Sequence, residues 1–442
     1  MKRLFAGYIA GFVVATSASW LRVLLAGTLF IDTLRWPFAV SSLVLGAGLA
    51  LSSVCAWKLA EAAPPSGTTL RWAVLAQVVM LFAAPLTSAD FYQYVAYGLM
   101  DAAGKNPLAY GPAVLGESPI VHLVSQRWLS QPSVYGPVLL LLFKGVAFAT
   151  GESFLGTAIV LKLAMAGLTV LCCALVATVS SARVTALFAL SPLLAWELSG
   201  QAHSDAVLLF LLLVFVWAAT NGRETLAAAA AVVATLGKVT MAPVLALYLL
   251  FLFKRRPLRA VALGAGGLAL TIVLSIPYAT DFPGVGPFLT AVRGTRSHSL
   301  ADLLAFVLAP IGPQAQEIAV RASFLVCMAA CAVVSTAVTW RARTAHELVR
   351  GCLVFFLVWD VTVPLFQPWY IAWLFPLALV DPDHRWLRLV ALFGIFSVVQ
   401  WMVQLDPLSS VVIDGWVVYR MVKLLRSPEA DVVPAPAQRA TS

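Results

Sequence analysis

The sequence predicts an all-α integral membrane protein, a multispanning bundle of about 11–14 transmembrane helices with interfacial helices in its first large outer loop. Three observations carry that prediction. Of the 442 residues, 61% are hydrophobic and 11% are charged, with mean hydropathy +0.91, whereas a soluble domain carries about 25% charged residues. Apolar runs of about 17–25 residues recur from end to end, the length a helix needs to cross about 30 Å of hydrocarbon. The period-two alternation of a membrane barrel is absent, and in lipid that leaves helices to satisfy the backbone.

Taken in order, the basic start Lys2-Arg3 reads as cytoplasmic. The apolar run after it continues past Arg22 to Ile31, longer than a signal-peptide core, so an uncleaved first helix to about residue 30 is expected. A second span covers roughly 38–58, residues 58–71 form an inner loop, and a third span of roughly 70–87 exits on the outer side with Asp90. Further spans are expected near 136–150, 157–179, 184–198, 204–220, 240–253, 260–279, 319–339, 349–365, 369–380, 387–404 and 411–424. Asp90 outside and Arg183 inside require an odd number of crossings, yet two apolar runs lie between them. Some segment between 136 and 253 must therefore be short or re-entrant, which backbone tolerates only where protein encloses it. The chain reads as one polytopic domain over 1–425, with 88–135 as the outer loop and 426–442 as a disordered cytoplasmic tail.

The net charge of +9 is gathered in short blocks between apolar segments, at Lys254–Arg256 with Arg259, Arg341–Arg350 and Arg420–Arg426. Such blocks mark cytoplasmic loops, and they exclude nucleic acid as a partner. The six cysteines sit inside apolar runs, which suggests neither disulfides nor a metal site.

Polar residues interrupt this background at a few places. "SADFYQYVAYGLMDAAGKNPLAYGP", residues 88–112, sets Asp90 at the end of a span with Phe91, Tyr92, Tyr94 and Tyr97 behind it, followed by Asn106-Pro107. That pattern predicts a helix at headgroup depth with one polar side in water; the bland reading of Asp90 is a helix cap. "QRWLSQPSVYGPVLLLLFKG", residues 126–145, returns the chain to the membrane through Tyr135-Gly136-Pro137. "SPLLAWELSGQAHSDAVLLFLL", residues 191–212, holds Glu197, His203 and Asp205, while "LKLAMAG" and "GKVTMAP" hold Lys162 and Lys238. A charge at bilayer depth costs about 2.5–3.5 kcal/mol on insertion scales, so these lysines either snorkel or line a polar cavity. "VRGTRSHSL", residues 292–300, gathers Arg293, Arg296 and His298 as a solvated basic loop or a phosphate site. "FQPWYIAWLFP", residues 366–376, offers Trp369, Tyr370 and Trp373 as belt aromatics or a stacking surface for a sugar or prenyl chain, with Gln367 ahead of them.

These motifs, in this order over roughly residues 88–378, resemble the polyprenyl-phosphomannose-dependent mannosyltransferases of bacterial envelopes, members of the glycosyltransferase C superfamily. The resemblance implies a glycosyltransferase C type bundle in the cell (inner) membrane, its active site facing the periplasmic side. It implies a lipid-phosphate sugar donor, an envelope glycan or glycolipid acceptor, and inversion at the anomeric carbon. Asp90 maps onto the family's general base. His203, Asp205, Lys162 and Lys238 map onto its binding positions, and Tyr94, Asn106, Tyr135, Gln367, Trp369, Tyr370, Arg293, Arg296 and His298 are expected to bind substrate. Ser204 stands where Asn is expected, Leu108 where an aromatic is commoner, and Lys162 where Arg is usual.

The chemistry also fits the residues without the family. A sugar hydroxyl is a poor nucleophile, and a carboxylate in reach takes its proton as the bond forms. The departing phosphate gains charge that Lys, Arg or His stabilises more in the transition state than before it. No cofactor and no metal are expected, since hard cations want several oxygen ligands and too few are at hand. The alternatives are a transferase for another polyprenyl-phosphate sugar (arabinose, glucose or aminoarabinose) and a transporter or flippase of polyprenyl-linked sugars. The absence of a convincing internal repeat disfavours the transporter.

Overall fold

A computed structural model describes residues 1–26, 36–86, 88, 90–280, 300–381, 383–403 and 408–426. Its helices are α1 (Lys2–Ala26), α2 (Trp36–Ala62), α3 (Ser66–Leu81), α4 (Asp90–Ala102), α5 (Pro137–Ala149), α6 (Phe154–Val179), α7 (Ala182–Ala189), α8 (Asp205–Thr220), α9 (Glu224–Gly237), α10 (Ala242–Phe253) and α11 (Pro257–Ser275). Then come α12 (Leu300–Leu308), α13 (Pro313–Arg341), α14 (Ala345–Thr362), α15 (Leu374–Ala378), α16 (Arg385–Val403) and α17 (Leu408–Arg426). Among the described residues there is no strand. Among the described residues, five helical runs are long and apolar enough to cross a membrane: Lys2–Leu25, Val40–Ala62, Phe154–Val179, Pro257–Tyr278 and Pro313–Arg341. The chain is a multi-pass helical membrane protein.

Between 137 and 253 the helices other than α6 are short. The 16 residues of α8 rise about 24 Å, less than the hydrocarbon thickness, and α5, α9 and α10 are shorter still. The direction of α5 is set by its contacts with α4. It runs parallel to α4, with Tyr135 beside Asp90 at the start, Phe143 against Gly98 midway and Lys144 paired with Asp101 at the end. Beyond α6, the Arg183 guanidinium reaches the Glu61 carbonyl at 3.3 Å, beside the loop predicted to be cytoplasmic.

Three further expectations are corrected. The polar side of α4 does not face water: every residue from Phe91 to Asp101 is buried, Gln93 included. The reason is contact with α5 so close that a Cβ on Gly98 would stand 2.6 Å from the Phe143 carbonyl oxygen. The run 184–198 is not one span, because α7 stops at Ala189 and a π-helical stretch, Leu194–Gly200, follows Pro192. Residues 369–380 are a 3-10 turn, Pro368–Trp373, and a short helix, since prolines at 368 and 376 interrupt the backbone ladder. All six cysteines are free and buried. The predicted tail lies outside the described residues, apart from Arg426, which ends α17.

Candidate active site

Asp90 is delivered by an extended stretch whose backbone is held almost wholly by side chains. Trp20 Nε1 donates to the Phe82 carbonyl at 2.6 Å, Lys162 Nζ to that of Ala83, and Ala84 N to Ser19 Oγ at 2.9 Å. Gln201 closes the clamp, its Nε2 donating to Ala84 O at 3.3 Å and its Oε1 accepting from Leu86 N at 2.6 Å. Ser88 Oγ then accepts from Asp90 N at 2.9 Å. With the serine doing the capping, the Asp90 carboxylate is turned to side chains.

Its Oδ2 accepts from Tyr135 Oη at 3.0 Å and lies 4.0 Å from His203 Nδ1. Tyr94 Oη is 3.4 Å from the same nitrogen, and Trp369 stacks on the imidazole with centroids 3.8 Å apart. Tyr135 reaches Asp90 because Gly136 N donates to Gly237 O at 2.8 Å. A Cβ at 136 would sit 2.2 Å from the Leu236 carbonyl oxygen, so glycine permits the approach. Burial lifts the Asp90 carboxyl above its usual range, against the pull of Lys238 and of the Ser88 and Tyr135 hydrogen bonds. Its side chain nevertheless keeps 21% exposure, so water or a substrate hydroxyl can reach it. Burial, with the charge of Lys238, holds the His203 imidazole neutral, well below its ordinary pKa.

Beside this carboxylate stands a compensated pair. Lys238, just past the end of α9, places Nζ 3.0 and 2.8 Å from the two oxygens of Asp205 at the start of α8. Trp373 Nε1 donates to Asp205 Oδ1 at 2.8 Å. The ammonium lies 5.3 Å from the Tyr135 ring and 5.8 Å from those of Tyr370 and Trp373, a cation held among ring faces. The pair is neutral overall, with its ammonium end set among ring faces, and Tyr135 touches both it and Asp90.

The sequence-predicted residues divide accordingly. Asp90, Tyr94, Tyr135, His203, Asp205, Lys238, Trp369 and Tyr370 converge. Gln367 precedes the turn, with its Oε1 buried and without a hydrogen-bond partner among the described residues. Lys162 binds the Ala83 carbonyl, and nothing joins it to the cluster among the described contacts. Asn106 is likewise occupied by backbone: Nδ2 donates to Tyr278 O at 3.2 Å and Thr280 O at 2.6 Å, and Oδ1 accepts from Leu108 N at 2.9 Å. Arg293, Arg296 and His298 lie outside the described residues. Two residues outside the expected binding set enter the site, Trp373 on Asp205 and Glu197, whose Oε2 is 3.4 Å from His203 Nε2. Both lay in the quoted motifs; the acid in an apolar run was the signal for Glu197. Among the described residues no three His, Cys, Asp or Glu side chains are grouped to hold a metal.

Comparison with known proteins bears on this arrangement. A family profile described as alpha-(1->6)-mannopyranosyltransferase, N-terminal domain, matches residues 3–254, more than half of the chain, from α1 to the end of α10. Alpha-(1->6)-mannopyranosyltransferase A of Mycobacterium tuberculosis is 26% identical over 404 residues, covering 81% of this chain and 77% of the relative. Alpha-(1->6)-mannopyranosyltransferase B of Corynebacterium glutamicum is 31% identical over 153 residues, 33% of this chain and 25% of the relative. No solved structure matches. The family match sets the transporter alternative aside in favour of an enzyme, and the chain belongs to the alpha-(1->6)-mannopyranosyltransferase family of membrane glycosyltransferases.

Proposed function

We propose that the protein transfers mannose from a polyprenyl-phosphate-linked donor to a hydroxyl of an envelope glycan or glycolipid at the outer face of the membrane, with inversion. The observation that carries this reading is a buried but reachable carboxylate, Asp90, flanked by a phenol and a neutral imidazole, with the Lys238–Asp205 pair across Tyr135. Asp90 takes the acceptor proton as the hydroxyl oxygen bonds to C1. The bond from C1 to the phosphate oxygen breaks on the opposite side, its electron pair staying with the phosphate. Lys238 faces that growing charge, and such fixed electrostatics are worth about 10²–10³ in rate. A single displacement needs one base and no covalent sugar intermediate, hence inversion.

The relatives' names give an alpha-(1->6) linkage, and the same linkage is proposed here. Inversion to an α product requires a β-linked donor. No metal enters this reading, because the leaving phosphate is a single group and Lys238 is positioned to meet it. The test is transfer by the purified protein in lipid nanodiscs from radiolabelled β-mannosyl polyprenyl phosphate to an α-(1→6)-linked mannose oligosaccharide, with chelator present. An α-mannosylated product supports the reading; use of GDP-mannose in place of the lipid donor would sink it.

A further inference from the structure

Resting on Asp90 as the base, we infer that Glu197 is a positioning residue for that base, acting through His203. Its carboxylate fixes the imidazole in the tautomer that carries hydrogen on Nε2 and turns the bare Nδ1 toward Asp90. The geometry is a line of three groups. Glu197 Oε2 is 3.4 Å from Nε2, a charge-pair distance without hydrogen-bond alignment, and on the far side of the ring Nδ1 is 4.0 Å from Asp90 Oδ2 and 3.4 Å from Tyr94 Oη. A carboxylate facing a bare ring nitrogen sets lone pair against lone pair; of the two carboxylates Glu197 is the nearer, and Tyr94 Oη can donate to Nδ1, so Nε2 is the nitrogen that bears the hydrogen.

The chain is shaped to hold this arrangement. Glu197 and His203 are fully buried, and Trp369 stacks on the ring. The π-helical stretch Leu194–Gly200 widens the backbone until His203 N donates to the carbonyl of Glu197 itself at 3.1 Å. Ala202, between them, adopts the left-handed region at φ 57°, a strain that a plain connecting loop has no need to bear.

The consequence is a place for the proton. The acceptor O–H bond breaks to protonate Asp90, and the bare Nδ1 can then accept a hydrogen bond from that carboxyl while the ring stays neutral. On product release the proton passes from Asp90 to water, and the protein is unchanged. The 4.0 Å gap is of the kind that closes when substrate binds. The charged and titratable groups facing this line are Tyr94 on α4, Tyr135 before α5, Asp205 on α8, Lys238 after α9 and Tyr370 on the 368–373 turn. Of the elements packed on the π-helical stretch, α6 also carries Lys162, held on Ala83, and buried Cys172 and Cys173, and α3 carries Arg71, which is exposed.

The test pairs histidine ¹⁵N NMR with kinetics on the whole protein in nanodiscs, using His203→Gln to assign one signal among the five histidines. The wild type should show hydrogen on Nε2. Glu197→Gln offers an amide N–H to that nitrogen and should move the hydrogen to Nδ1. Turnover should fall about 10–10²-fold, with donor half-saturation within about threefold. The acid limb of the pH–rate profile should move to lower pH, because loss of a nearby negative charge and an N–H aimed at Asp90 both favour its ionised form. Glu197→Asp should keep the wild-type tautomer and part of the rate. A wild type with hydrogen on Nδ1 overturns the inference, and so does a folded Glu197→Gln with unchanged tautomer, turnover and acid limb. Should Glu197→Gln not fold, the wild-type tautomer and Glu197→Asp decide. Failure of the Asp90 reading looks different: Asp90→Asn would then transfer as fast as the wild type.

Discussion

Helix α4 carries two acids, Asp90 at its first residue and Asp101 near its last, and their surroundings are opposites. Asp101 pairs with Lys144 at 2.7 Å and accepts Tyr278 Oη at 2.6 Å; its side chain is 8% exposed. Asp90 has a phenol, a neutral imidazole and, among the described residues, no cation in contact, and it is 21% exposed. Lys144 and Tyr278 supply both charge and hydrogen to Asp101, so it ties α4 to α5 and to the end of α11. Asp90 keeps an unneutralised oxygen in a partly dry site, the state in which a carboxylate removes a proton well. One helix thus carries a paired acid and the acid proposed as the base, distinguished by what faces them.

The contrast can be broken or sharpened by substitution. Asp90→Asn should have the largest effect, a loss of about 10²–10⁴ in turnover, measured with saturating lipid donor, and little change in unfolding temperature. Lys238→Met keeps the stem but removes the charge; it should lower turnover about 10²–10³-fold, more than it weakens donor binding, as single-turnover kinetics would read. Asp101→Asn should do the reverse. Breaking a fully buried pair costs about 3–5 kcal/mol, and because Lys144 keeps 30% exposure the expected loss here is about 1–3 kcal/mol, with turnover within about threefold. Thermal unfolding and turnover on the same preparation check both halves. Tyr135→Phe is the smallest change. Removing a donor to the ionised form raises the Asp90 pKa further, so the acid limb should move to higher pH with the plateau rate within about tenfold.

Much of the site was legible because an ionisable residue in an apolar run must have a reason to be there. That argument singled out Asp90, His203, Asp205 and Lys238, all of which meet. It also singled out Lys162, but charge at depth does not say which partner a side chain takes, and a backbone carbonyl at Ala83 sufficed. Asn106 has the same lesson, since its three bonds all go to backbone. The run 136–150 was legible as an apolar helix, but hydropathy reports burial and not direction. The contacts of Tyr135, Phe143 and Lys144 reveal that α5 runs beside α4. The role of Glu197 was hidden by the π-helical stretch, which brings side chains six positions apart into contact where an ordinary helical wheel would separate them.

The measurement that bears most directly on the difference between the two acids is the pH dependence of the transfer rate in the wild type, Asp90→Asn and Asp101→Asn. A base must be ionised to work, so the rate should fall as pH drops through the Asp90 pKa, which burial lifts above the ordinary carboxylate value of about 3.9. The account predicts that acid limb in the wild type, the same limb in Asp101→Asn, and no such limb in the residual activity of Asp90→Asn. A limb that survives in Asp90→Asn, or that moves in Asp101→Asn, would contradict it.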